Sequence, residues 1–134
     1  MPSERESLFW QARHMRTGKQ PKSVELRQRL GERLLAARTV YHPNRAAVAR
    51  ALGVDHRVME KYEKGDRYPD EAFIVRFADL TGCPLDFLYR GLITSEMDPL
   101  LAAGIAAAAP HLAEEAVEAA RASRSKRVAA LSLE

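Results

Sequence analysis

Residues 44–69, NRAAVARALGVDHRVMEKYEKGDRYP, hold two short helical periods separated by a glycine-containing turn. Asn44 offers a side-chain oxygen to the free amides of a helix over 45–52, where Val48, Ala49 and Leu52 recur three and four apart and define one apolar side. Gly53 tolerates a positive φ, and Asp55 can cap a second helix over 56–64 that Gly65 ends. Just upstream, His42 precedes Pro43, which disfavours a helical backbone at His42 and separates this pair from what comes before.

The same period extends outward in both directions. VELRQRLGERLLAART, residues 24–39, places Leu30, Leu34 and Ala37 on one face and arginines over much of the rest. Downstream, Pro69 and Asp70 open a helix with Phe73, Ile74, Phe77 and Ala78 inward, closed by Gly82. PLDFLYRG then begins with Pro84 in its first turn, presents Leu85 and Leu88, and ends at Gly91. With no internal repeat and no alternating β-branched run, the expectation is an all-α domain of five helices over residues 23–92. Past Leu92, Asp98 and Pro99 start a weakly apolar helix that Pro110 interrupts, and from His111 alanine dominates with Leu112, Val117 and Ala120 as a thin stripe. Residues 93–134 therefore read as a separate alanine-rich helical tail, a candidate dimerisation or partner-binding segment. Residues 1–22 read as a basic N-terminal arm, in which SLFWQARHMR is either a short helix docking Phe9 and Trp10 or a flexible basic strand of chain.

Composition excludes several classes of function. The 134 residues suit one core plus a tail, and 46% hydrophobic with 29% charged residues is the balance of a folding chain. Charge is unevenly spread: five basic and two acidic groups in residues 1–22, twelve and ten in 23–92, four and six in 93–134. A basic front and an acidic tail suit a nucleic-acid surface without requiring one. Cys83 stands alone, so no internal disulfide framework exists, and it fills a small core position. His14, His42, His56 and His111 are too scattered for metal spacing. LLAAGIAAAA, stopped by Pro110, is too short for a membrane span, and the start carries Glu4 and Glu6 in place of an apolar signal core, so a cytoplasmic location is expected. No glycine loop for phosphates, no Ser/His or Cys/His arrangement and no paired carboxylates are apparent, so neither an enzyme nor a cofactor is expected.

A helix, a glycine-containing turn and a second helix form the helix-turn-helix arrangement, whose second helix can enter the DNA major groove. At about 100° per residue, setting Met59 inward puts Tyr62 and Glu63 on the buried side and leaves Arg57, Lys61 and Lys64 together outside. His56, Val58 and Glu60 complete the candidate DNA-contacting positions on this helix, Glu60 with the option of accepting from a cytosine amino group. Arg45 and Arg67, near helix ends, are candidates for phosphate contacts that set register. Glu63, a carboxylate on an inward face, needs a partner, and Arg38 at the end of the first helix is the candidate for a bidentate pair.

Residues 26–92 resemble the DNA-binding domain of the Cro and phage-repressor (XRE-type) helix-turn-helix family. The resemblance rests on Leu34, Arg38, Val48 with Ala49, Leu52 with Gly53, Tyr62 with Glu63, Gly65, Pro69, and the ending Leu85, Asp86, Phe87, Leu88 and Gly91. It implies a five-helix, lambda-repressor-like domain, and it implies the same pairing of Arg38 with Glu63. The chain departs from the family's pattern at Arg45, where glutamine is common, at His42-Pro43, where Gly-Leu is usual, at Asp55 in place of a Ser or Thr cap, and at Glu60 in place of a small polar residue.

The resulting expectation is a sequence-specific regulator, a repressor by preference, that binds double-stranded DNA as a homodimer on a near-palindromic operator. The alternative is an antitoxin or adaptor whose residues 95–134 bind a protein partner.

Overall fold

In a computed structural model that describes residues 19–132, those residues form seven helices and no strand. They are α1 (Lys19–Tyr41), α2 (Arg45–Leu52), α3 (His56–Lys64), α4 (Glu71–Thr81), α5 (Leu85–Arg90), α6 (Pro99–Ala108) and α7 (Pro110–Ser132). The bounds of α2 and α3 are those expected. The first helix opens earlier than expected, so residues 19–22 of the basic arm belong to α1, while SLFWQARHMR lies outside the described residues.

α1 is the spine, and its two flanks carry different parts of the chain. Arg27, Gly31 and Arg38 meet α3 and the glycine that ends it. Arg29, Glu32, Ala36 and Val40 meet α6, α7 and the joint between them. At about 100° per residue the two sets lie roughly 165° apart, on nearly opposite sides of the helix. α3 and α7 are thus held back to back across α1.

A single apolar cluster joins both flanks. Leu30, Leu34 and Ala37 pack with Val48, Leu52, Met59, Phe73 and Phe77, and the same cluster continues through Met97, Leu101, Ile105 and Leu112. The tail is therefore not a separate unit: residues 97–112 share the core. The stripe within α7 also differs from expectation, because Leu112 and Ala116 face inward while Val117 and Ala120 are exposed. In α5 the inward pair is Phe87 and Leu88, and Leu85 is exposed. Period alone could not orient a six-residue helix; its seat against α1 does. Pro110 interrupts the tail as expected, and the chain bends by 115° between α6 and α7. Among the described residues no single helix is long and apolar enough to cross a membrane.

Candidate nucleic-acid interface

α2 and α3 are joined by a three-residue turn, Gly53, Val54 and Asp55, and each end of both helices is tied down. Asn44 Oδ1 accepts from the Ala47 amide at 3.1 Å, and Asp55 Oδ1 accepts from the Arg57 amide at 2.8 Å, so both expected caps form. Gly53 has φ 72°, the left-handed conformation in which a Cβ is costly, and this lets the chain reverse within the turn. Arginines from other helices cover the carbonyls left free where α2 and α3 end. Arg76 Nη1 donates to Leu52 O at 3.2 Å, and Arg27 Nε donates to Gly65 O at 2.6 Å.

The tilt of α3 is set by packing and by charge. Tyr62 and Phe73 meet edge to face with ring centroids 4.8 Å apart. A Cβ on Gly31 would lie 2.5 Å from Tyr62 O and 2.8 Å from Glu63 O, so α1 approaches the α3 backbone as closely as a side chain-free residue allows. Arg38 Nε donates to Glu63 Oε2 at 2.6 Å and Arg38 Nη2 donates to Glu63 Oε1 at 3.2 Å, the bidentate pair anticipated between the first and third helices. Arg38 Nη1 also donates to Pro43 O at 3.0 Å and to His42 O at 3.3 Å, which anchors the loop ahead of α2.

Arg45 is placed differently from expectation. Its Nε donates to Glu63 Oε1 at 2.6 Å, so the guanidinium is drawn toward the buried carboxylate and its side chain is 34% exposed. A carboxylate only 1% exposed attracts a second cation more strongly than solvent competes for it. Glu60 and Lys64 are likewise engaged, with Lys64 Nζ 2.8 Å from Glu60 Oε1 and Arg45 Nη1 4.0 Å from Glu60 Oε2. The Lys64 hydrogen bond holds the Glu60 carboxyl below its ordinary range, and Glu60 in turn holds the Lys64 ammonium above its own. Val58 is half-buried against the core, which withdraws part of its side chain from any groove.

Arg57, Lys61 and Arg67 remain fully outward, and their side chains make no hydrogen bond or ion pair with the described residues. His56, at the start of α3, is exposed with Nδ1 3.9 Å from Asp55 Oδ1. The structure thus gathers Arg57 and Lys61 on one face of α3, with His56 at its leading end and Arg67 beyond its far end.

Several residues that build this site were not read from sequence. Arg27, Arg33 and Arg76 look like solvated helix faces in the pattern, yet Arg33 is buried with Nη1 donating to Leu88 O at 3.3 Å. Gly31 carried a signal that could have been used, since a glycine inside a helical period marks a close backbone approach. Among the described residues no group of three or more His, Cys, Asp or Glu is assembled in a way that could hold a metal ion. Compared with family models, curated proteins and solved structures, the chain matches none.

Proposed function

We propose that this chain is a sequence-specific DNA-binding regulator of the Cro and phage-repressor kind, acting as a homodimer with α3 in the major groove. The observation that carries the reading is an outward cationic face on a short helix whose tilt is held by buried ion pairs. Arg57 and Lys61 have donors that no other described residue engages, while Glu63 is held by Arg38 and Arg45 from behind. A groove-reading helix needs this combination, because base-edge hydrogen bonds discriminate only when their donors arrive at a defined angle and depth. Arg67 and the basic arm of residues 1–22, with five basic and two acidic groups, supply phosphate contacts that set affinity and register. Arg45 serves the position of α3 first and phosphate second, and Glu60 with Lys64 trims the cationic face.

Selection from random duplexes followed by sequencing, at two salt concentrations, tests the reading. The wild-type chain should enrich a near-palindrome with half-sites about one helical turn apart. Arg57→Ala and Lys61→Ala should each cost about 1–3 kcal/mol and relax preference at particular positions. Absence of enrichment, or binding that neither variant changes, overturns it.

A second reading, an adaptor or antitoxin that binds a protein partner through its tail, draws support from the exposed far half of α7. Co-purification of a partner that depends on residues 113–132, with no DNA enrichment, would favour it.

A further inference from the structure

After Ser123, whose Oγ accepts from Arg90 Nη2 at 3.0 Å, α7 buries nothing: residues 124–132 are all exposed. Val128 is 58% exposed and Leu131 73%. A helical segment of this length without tertiary contact is marginal in water, since most helix stability in proteins comes from packing of an apolar side. Val117, Arg124, Val128 and Leu131 fall within about 60° of one another, roughly 110° around the helix from the buried Leu112 and Ala116. Val117 and Arg124 also line a groove of about 500 Å³ between α6 and α7, floored by Ala102, Ala106 and Ala113. One helix therefore carries both an alanine-floored groove and, further along the same line, an apolar ridge.

Charge identifies what fits there. The first half of α7 holds Glu114, Glu115 and Glu118, and the second half holds Arg121, Arg124, Lys126 and Arg127. Glu115 is paired with Arg29, but Glu114, Glu118, Arg121 and Arg124 make no ion pair among the described residues. A partner of one charge sign would satisfy only half of this helix. A second α7 running antiparallel satisfies both halves, and a parallel one opposes like charges. We infer that a second copy of this chain covers the face, the two α7 helices crossing antiparallel about a two-fold axis. Val128 and Leu131 of each copy enter the groove of the other, and Glu114 and Glu118 of each meet Arg121 and Arg124 of the other. The arrangement is self-complementary, as a closed two-fold interface must be. α7 lies on the side of α1 away from α3, so the pairing leaves Arg57 and Lys61 uncovered.

The inference deepens the proposed function, which calls for two copies, and its test uses no DNA. Sedimentation of the full chain at micromolar concentration should give a dimer. Val128→Glu should weaken it about tenfold or more, and so should the pairs E114K/E118K and R121E/R124E, each of which makes the whole face one sign. Mixing the two charge-swapped chains should restore a dimer. Circular dichroism checks that helix content is kept, which exposed positions favour. A monomeric wild-type chain overturns the inference, including the outcome in which deleting residues 1–18 then produces dimers because that segment occupied the groove. Variants that dimerise like the wild type overturn it as well. A dimer that enriches no DNA sequence would defeat the regulator reading and leave this one standing; a monomer that enriches an operator would do the reverse.

Discussion

α3 places Met59, Tyr62 and Glu63 in the interior with nine residues, whereas α7 buries Leu112 and Ala116 with twenty-three. The short helix has a capping carboxylate, a left-handed glycine at its end, a buried ion pair and an aromatic contact. The long one has alanine's intrinsic preference for helix and a few contacts in its first half. A nine-residue helix cannot persist on propensity, so the constraints that fix the orientation of α3 come from outside it. α7 keeps its form cheaply and commits little of its surface to the core. One helix is positioned by the fold; the other is presented by it.

The contrast predicts a graded series of effects. The largest should come from Arg38→Met, which strips the buried Glu63 of its bidentate partner and frees the carbonyls of His42 and Pro43. With Arg45 still present, the expected loss is about 3 kcal/mol, read by denaturant unfolding, with a parallel fall in DNA affinity as α3 loses its tilt. An unchanged melting temperature would show that α3 is held by apolar contact alone. Gly31→Ala comes next, at about 1–3 kcal/mol, because its Cβ must push two backbone carbonyls of α3. A neutral result would mean that the two helices can slide apart without penalty. Asn44→Ala removes one cap from α2 and should cost about 1 kcal/mol by thermal melting. At the other end of the scale, Leu131→Ser should change the stability of the monomer by no more than about 0.5 kcal/mol, since the side chain rests on nothing. A larger loss in dilute solution would sharpen the comparison in the opposite sense, by giving the far half of α7 an intramolecular seat. Cys83 reports on the shared core: burial pushes its thiol up to about 12, so at neutral pH thiol reagents should label it only through unfolding, and faster in Arg38→Met.

Much of this arrangement is legible in the residues because it is local. Asn44, Gly53, Asp55 and Gly65 act on amides and carbonyls within a few positions, so the bounds of α2 and α3 follow from them directly. Glu63 was legible for a different reason: a carboxylate on an apolar side must be neutralised, and few cations stood where one could reach it. The role of Arg45 was not legible, because a surface arginine at a helix start suits phosphate and a buried carboxylate equally well until the distance is known. Leu85 was misread as inward because a six-residue helix offers too few positions for period to choose between neighbours.

What the residues alone determined is the helical class, the caps and ends of α2 and α3, and the ion pair that a buried charge makes obligatory, since each depends on backbone conformation or on charge balance. What only the tertiary structure decided is which arginines are cations for a partner and which are internal fittings, and that residues 97–112 belong to the same core as α2 and α3. Those outcomes depend on which surfaces meet across α1, and contacts between residues far apart in the chain, such as Arg29 with Glu115 or Arg33 with Leu88, have no fixed spacing from which to be read.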